Sequence, residues 1–393
     1  MASGYRPRIA DAELRACLAS AGAVVIEGPK ACGKTRMAQQ LAASTVLLDV
    51  DLAARQALVV DPALVLAGPR PRLLDEWQVE PALWNQVRRA VDAMEAPGQF
   101  LLTGSAVPAD DAERHTGAGR FAFLRLRPMS LVESGVGQGG VSLAALLEGQ
   151  PPSCADPGLG VADLAELVCR GGWPAQLERP LAAAARAARD YLEQVRQVDV
   201  QRLDGRRRDP QRLGALLRSL GRNVADHLQA LERLMVLENQ PAWRPHLRSK
   251  AALRQAPRRH FCDPSLAVAA LGGSPDRLLK DLEWLGLLFE SLVIRDLRVL
   301  AQALDGEVFH YRDDYGIEVD AIVQLRDGRW GAIEIKLGPG QVEAAAAGLL
   351  RFRQQIDTRR TGEPAFLAVI CGSGYGYRRA DGIAVVPVGA LGP

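Results

Sequence analysis

Apolar residues recur at helical spacing over residues 10–20, and Gly22 closes that segment. A β-branched run, Ala23-Val24-Val25-Ile26-Glu27, then leads into a glycine-rich loop, and Lys34 to Ala43 reads as the helix after it. Thr45 to Asp49 and Arg72 to Glu76 are expected as a second and a third buried strand, with a helix over Leu83 to Met94 behind the third. Gln99 to Ser105 is a fourth strand. Strand and helix alternate in this way to about residue 130, which predicts an α/β fold: a parallel sheet with helices on both faces. The apolar runs lack clean alternation, as strands buried on both sides do.

The pattern changes where glycine and proline become dense, over residues 135–160, and a linker is expected there. From Val161 to about Glu238 the period is helical, with an Ala-rich stretch at Leu181 to Ala188. After Pro264 a long amphipathic helix (Asp276 to Leu304) precedes strands over Val308 to Arg312, Ile317 to Leu325 and Trp330 to Leu337. Asp313 to Gly316 and Asp327-Gly328 supply the turns between them. A helix (Gln341 to Gln355) and a strand (Phe366 to Ile370) complete a separate α/β unit. Three domains are therefore expected, over residues 1–135, 136–262 and 263–393.

Composition narrows the function classes. Hydrophobic residues are 48% and charged residues 24% of 393, the balance of a soluble globular chain. A net charge of +2 gives no global basic field, so any nucleic-acid surface must be local. The six cysteines are scattered without metal-ligand spacing and read as small buried hydrophobes. Met1 to Arg15 holds no continuous apolar stretch of secretory type, and no run of about 18 apolar residues occurs, so a cytoplasmic protein with no membrane partner is expected.

Gly28-Pro29-Lys30-Ala31-Cys32-Gly33-Lys34-Thr35 matches G-x-x-x-x-G-K-[ST] at every fixed position, between a strand and a helix. The glycines let the backbone wrap closely, so that N–H groups face phosphate oxygens. Lys34 is suited to the β- and γ-phosphates of ATP, and the Thr35 hydroxyl to Mg²⁺. Asp75 and Glu76 end a buried strand: the first is placed to hold the metal through water, the second to act as general base. Thr103 to Ser105 put hydroxyls where a γ-phosphate sensor would sit, although Thr-Gly-Ser is also ordinary turn chemistry. Arg120 either neutralises transition-state charge in a neighbouring subunit's site, which implies a homo-oligomer, or is a surface arginine. Cys32 is either a modifiable thiol or a tolerated small residue.

The chain resembles the AAA-type ATP-binding proteins of bacteria and archaea whose C-terminal domain is of unknown function but similar to restriction-endonuclease-like nucleases. The resemblance rests on Gly28 to Thr35, Leu74-Asp75-Glu76-Trp77-Gln78, Leu102-Thr103-Gly104-Ser105, Arg127-Pro128-Met129-Ser130-Leu131 with Glu133, and Arg170-Gly171-Gly172-Trp173-Pro174. It continues through Phe289-Glu290, Glu318-Val319-Asp320 and Ile333-Glu334-Ile335-Lys336, so it spans nearly the whole chain. It implies an AAA-like core, a helical middle with a winged-helix-like element, and a nuclease-like C-terminal α/β domain. One departure is the direct run from Gly221-Arg222-Asn223 into Asp226-His227-Leu228, which shortens the winged element.

In the C-terminal segment Glu334 and Lys336 share a strand face because side chains repeat every two residues. Asp320, fourteen residues before Glu334, can meet that face from the neighbouring strand, and Glu290 can join from the long helix. Asp320 and Glu334 would hold Mg²⁺ while Lys336 orients the attacking water, the D…E-x-K arrangement of a DNA nuclease. The alternative is an ion-paired sheet face in a domain that keeps the fold without the chemistry. Arg206-Arg207-Arg208 is a solvated charge run or a phosphate contact. Trp77, Trp84 and Trp173 are expected as packing anchors, and His310 and Tyr311 as cross-strand packing or substrate contacts. The functional expectation is an ATPase coupled to a nuclease-like domain acting on or binding DNA. The alternatives are an ATP-dependent switch whose inactive C-terminal domain recruits nucleic acid or a protein, and a protein–protein regulator of toxin or defence type.

Overall fold

Five short strands, β1 (Ala23–Glu27), β2 (Ser44–Leu47), β3 (Arg72–Asp75), β4 (Phe100–Gly104) and β5 (Phe121–Arg125), pair in parallel in the order β2-β3-β4-β1-β5. The computed structural model describes residues 4–105, 116–199, 225–245, 256–313 and 316–393. It divides into two compact units, one built mainly on the chain up to Pro128, the other on Met129–Glu193 and Leu237–Pro393.

In the first unit β1 is central, and Ala23, Val24, Val25 and Ile26 are all fully buried, as a strand covered on both faces requires. Glu27 is level with both Gly104 and Arg125, so β1, β4 and β5 end together and the glycine loop leaves at that edge. Helices α1 (Asp11–Ser20), α2 (Lys34–Gln39), α3 (Leu52–Val60), α4 (Pro62–Leu66) and α5 (Leu83–Met94) connect the strands. The expectation that the second strand is buried on both faces is corrected: β2 is the sheet edge, with Val46 buried and Thr45 and Leu47 exposed. Residues 52–66, not anticipated as helical, form α3 and α4, started by the Asp51 and Asp61 carboxylates accepting from Ala54 and Ala63 N–H. Trp84 stacks on Phe121 with ring centroids 4.1 Å apart and packs beside Trp77, so both tryptophans are core anchors.

The second unit holds a six-stranded sheet in the order β13-β14-β12-β11-β10-β9. Its strands are β9 (Gly306–Arg312), β10 (Glu318–Leu325), β11 (Trp330–Lys336), β12 (Phe366–Cys371), β13 (Tyr377–Arg378) and β14 (Ala384–Pro387). β9, β10 and β11 form an antiparallel meander, and β12 then pairs with β11 in parallel after the helix Val342–Gln355. Trp330, Ile322, Leu349, Phe352 and Val369 fill the core under that helix. A small sheet joins β7 (Leu237–Gln240) to β8 (Arg258–Phe261).

Two expectations are corrected here. The helix anticipated over residues 276–304 is two helices, Pro275–Lys280 and Leu282–Ala303, because Asp281 leaves helical geometry and its carboxylate caps Trp284 N–H at 3.0 Å. Residues 135–160 are not a bare linker. β6 (Val141–Ser142) pairs in parallel with β15 (Leu391–Gly392), and the helix after it buries Leu143, Leu146 and Leu147. The helices expected after Val161 occur as Val161–Arg170 and Leu181–Gln194.

A buried ionic network ties together two of the sequence blocks on which the resemblance rests. Arg295, in the long helix, bonds Asp263 and Asp296, each at 2.8 Å. Asp296 accepts the Leu131 N–H, and Asp263 accepts the Gly172 N–H. A Cβ on Gly172 would lie 2.1 Å from the Met129 carbonyl oxygen, so only glycine fits there. Trp173 is buried and donates from its ring N–H to Ser265. The Met129-Ser130-Leu131 and Gly171-Gly172-Trp173 blocks thus hold the fold, through buried polar groups that find partners in each other's elements. Arg206-Arg207-Arg208 and the Gly221-Arg222-Asn223 connection lie outside the described residues. Among the described residues no helix is long and apolar enough to cross a membrane.

Candidate nucleotide site and C-terminal acidic cluster

The glycine loop is shaped by three local constraints. Ala31 and Gly33 adopt left-handed backbone angles, φ 62° and 105°, which turn the chain tightly before α2 begins. A Cβ on Gly28 would stand 2.1 Å from the Leu126 carbonyl oxygen, so the loop's base touches the chain that leaves β5. The Cys32 thiol is buried and donates to the same carbonyl at 3.4 Å, which makes it a packing group. Arg8, which no motif flags, also reaches this loop.

Lys34 is buried, and its ammonium donates to the Gly28 and Pro29 carbonyls at 2.9 Å each. Among the described residues no carboxylate lies within ion-pair distance of it. A buried cation held only by neutral oxygens is completed by an anion, so the cradle fits a phosphate group. Thr35 donates its hydroxyl to Asp75 Oδ1 at 2.8 Å. Thr103, level with Asp75 in the β3–β4 register, donates its hydroxyl to the same oxygen. Asp75, buried at the strand end, therefore has one oxygen fixed by two hydroxyls beside the loop, a donor set that fits a hydrated divalent cation.

Glu76 follows in a left-handed conformation, φ 54°, costly for a residue with a side chain. That twist sends its carboxylate off the strand line to accept from the Gln78 amide and, at 3.4 Å, from Ser105. Gln78 and Ser105 were not anticipated as partners of this acid. Arg120 precedes β5, at the end of the parallel sheet opposite the loop, where it pairs with Asp92 at 2.7 Å. Within one chain it does not join the cradle.

In the second unit the anticipated group converges. Ile335 N–H donates to Asp320 Oδ2 at 2.9 Å, and the Lys336 ammonium lies 3.1 Å from that oxygen and 2.6 Å from Glu334 Oε2. Asp320 sits where the β9–β10 pairing shifts register, an irregularity that re-aims a side chain. Glu290 is near, but a residue not anticipated stands with it. Arg258, at the start of β8, contacts Glu290 at 3.3 Å, Glu318 at 2.8 Å and Asp320 at 3.5 Å. No spacing rule links it to these acids; only the fold brings it there. Burial, then the Asp320 charge, pushes the Glu334 carboxyl up to about 7, and the same two causes push Glu290 up to about 7. Burial alone would lower the Lys336 ammonium, but Asp320 and Glu334 outweigh it and hold it above its ordinary value. Among the described residues no group of three or more His, Cys, Asp or Glu side chains is arranged to hold a metal ion. His310 is buried, its carbonyl accepts from Trp243 N–H, and Tyr311 packs edge-on against Phe352, so both serve packing.

Residues 20–134 match the family model of the AAA domain. The loop lies within the stretch that matches the AAA domain, a likeness that suggests ATP binding. Residues 285–391 match a domain of unknown function, DUF4143, and residues 161–229 and 221–277 match a second one, DUF8612. Among similar proteins are uncharacterized proteins of Mycobacterium tuberculosis and Mycobacterium bovis. Each is 26% identical over 353 residues, covering 84% of this chain and 73% of the relative. The C-terminal descriptions name no activity.

Proposed function

We propose that the chain is a Mg²⁺-dependent ATPase whose turnover acts on its C-terminal unit. We also propose that this unit, a restriction-endonuclease-like scaffold, engages DNA or a protein without cutting it. The observation that carries the first part is the convergence of Thr35 and Thr103 on Asp75 Oδ1 beside the buried Lys34. Bound ATP supplies the phosphoanhydride bond, and Mg²⁺ the charge that polarises it. Lys34 exchanges the Gly28 and Pro29 carbonyls for phosphate oxygens. Thr35 and Asp75 would hold the metal, with Thr103 keeping the Asp75 carboxylate in place. Glu76 takes the proton of the attacking water, and Gln78 and Ser105 aim it. Steady-state phosphate release from ATP, with and without Mg²⁺, tests this reading.

The non-cutting role of the C-terminal unit is supported by its charges. Arg258 and Lys336 ion-pair with Glu290, Glu318, Asp320 and Glu334, and burial favours the neutral form of Glu290 and Glu334, so the acids are compensated without a divalent ion. A second reading, a metal-dependent nuclease, is favoured by Lys336 standing between Asp320 and Glu334. The helix–meander–helix–strand order around them supports it too. Incubation with varied DNA substrates in Mg²⁺ or Mn²⁺, with and without ATP, separates the two: cleavage lost in Lys336→Ala selects the nuclease. A domain division near residues 135 and 262 remains part of the proposal, as does a homo-oligomer in which Arg120 serves a neighbour's site. The exposed apolar side chains of Leu52, Val59, Val60 and Leu64 on α3 and α4 suit such self-association.

A further inference from the structure

The phosphate loop is gripped at the Cys32 carbonyl by an arginine that lies before α1. Arg8 is buried, with Nη1 donating to the Cys32 carbonyl at 3.0 Å and Nη2 to the Arg127 carbonyl at 2.7 Å. Its own backbone is fixed in turn. The Arg8 N–H donates to Asp11 Oδ2 at 2.9 Å, and the Tyr5 hydroxyl donates to Asp11 Oδ1 at 2.6 Å. One guanidinium therefore joins the turn of the loop to the strand exit against which the Gly28 end packs.

The Cys32 carbonyl belongs to the same peptide group as the Gly33 N–H. Among the described residues the one cis peptide is Arg70-Pro71, so this group is trans and its C=O and N–H point in opposite directions. A donor that draws the Cys32 oxygen to one side turns the Gly33 N–H to the other. Gly33, at φ 105°, has no side chain to resist rotation of that peptide, so its direction depends on what grips the oxygen. Two N–H groups on a planar fork reach two carbonyls at once; a lysine ammonium carries the same charge but not that geometry.

We propose that Arg8 is a positioning residue for nucleotide binding, which by holding the Cys32 carbonyl outward aims the Gly33 N–H at the phosphates. The inference rests on the loop being the phosphate site.

The test measures ATP and ADP affinity of the full chain by calorimetry, beside the melting temperature without nucleotide, for wild type, Arg8→Lys, Asp11→Asn and Lys34→Ala. Arg8→Lys is expected to melt as wild type does and to bind both nucleotides about ten-fold more weakly, the value of one hydrogen bond to a charged group. Asp11→Asn, which loosens the Arg8 backbone and keeps the guanidinium, is expected to lose affinity in the same direction and by less. In turnover, KM for ATP rises about ten-fold in Arg8→Lys while kcat stays within about two-fold. A folded Arg8→Lys with wild-type affinity overturns the proposal. Should that variant fail to fold, wild-type affinity in Asp11→Asn overturns it. Wild-type protein that binds no ATP, or Lys34→Ala that binds it normally, would instead sink the reading of the loop itself.

Discussion

The Thr35 hydroxyl and the Asp75 carboxylate, forty positions apart in the chain, meet at 2.8 Å across the ends of α2 and β3. The contact sets a hydroxyl and a carboxylate side by side next to a buried lysine, which is the donor set a metal–triphosphate complex uses. Asp75→Asn should therefore separate binding from metal dependence. ATP affinity without Mg²⁺ is expected to hold within a few-fold, while the gain in affinity on adding Mg²⁺ disappears and turnover falls about 100-fold or more. Calorimetry with and without Mg²⁺ and a phosphate-release assay check both halves.

Glu76 is held by Gln78 and Ser105 instead of by the loop, so removing its charge leaves the cradle intact. Glu76→Gln is expected to bind ATP as wild type does and to lose about 10²–10⁴-fold in kcat. Weakened binding with unchanged kcat would assign this acid to the ground state.

A methyl group at residue 28 meets backbone, not a yielding side chain: its carbon would stand 2.1 Å from the Leu126 oxygen. Gly28→Ala is expected to cost roughly 1–3 kcal/mol of stability and to weaken ATP binding together with it. Thermal denaturation beside nucleotide titration measures the pair. A Gly28→Ala variant with unchanged melting and unchanged affinity would show that the loop's base does not touch β5's exit.

The buried carboxyl of Glu334 carries a pH signature. Its folded value is raised from 4.5 to about 7, so the folded chain binds this proton more tightly than the unfolded chain does. That contribution to stability is fully present below about pH 4.5 and is lost as pH rises through about 7. Glu334→Gln, which keeps the protonated shape, should gain stability relative to wild type as pH rises from about 5 to 8, on the order of 1–3 kcal/mol. Denaturant melts across that range check it, and a difference that is flat with pH contradicts it.

Much of this was legible in the chain because it depends on local periodicity. The buried run Ala23 to Ile26, the loop after it and the shared face of Glu334 and Lys336 all follow from repeats of two or from one contiguous motif. What depends on strand order was not legible. Apolar content marks Thr45 to Asp49 as a strand, but its place at the sheet edge is decided by pairing with β3 alone. The break at Asp281 hides because the apolar spacing continues through it, and only the cap geometry ends the first helix. The glycine-dense stretch at 135–160 looks like a linker until β15, at the far end of the chain, supplies the pairing partner of β6. Arg8 and Arg258 act through the fold on carbonyls and carboxylates remote in sequence, so no spacing rule marks them. Arg120 shows the converse: its place just after Gly119 says nothing of which end of the sheet it occupies, and it stands before β5, at the end away from the loop.

Nucleotide binding depends above all on the Lys34 ammonium, enclosed by the Gly28 and Pro29 carbonyls with no carboxylate among the described residues to neutralise it. The decisive measurement is calorimetric titration of Mg²⁺–ATP into wild type and Lys34→Ala, with melting temperatures alongside. Saturable binding by wild type is expected, at least about 100-fold weaker in a Lys34→Ala protein that melts normally. Equal affinity in the two proteins, or no binding by either, would contradict the account.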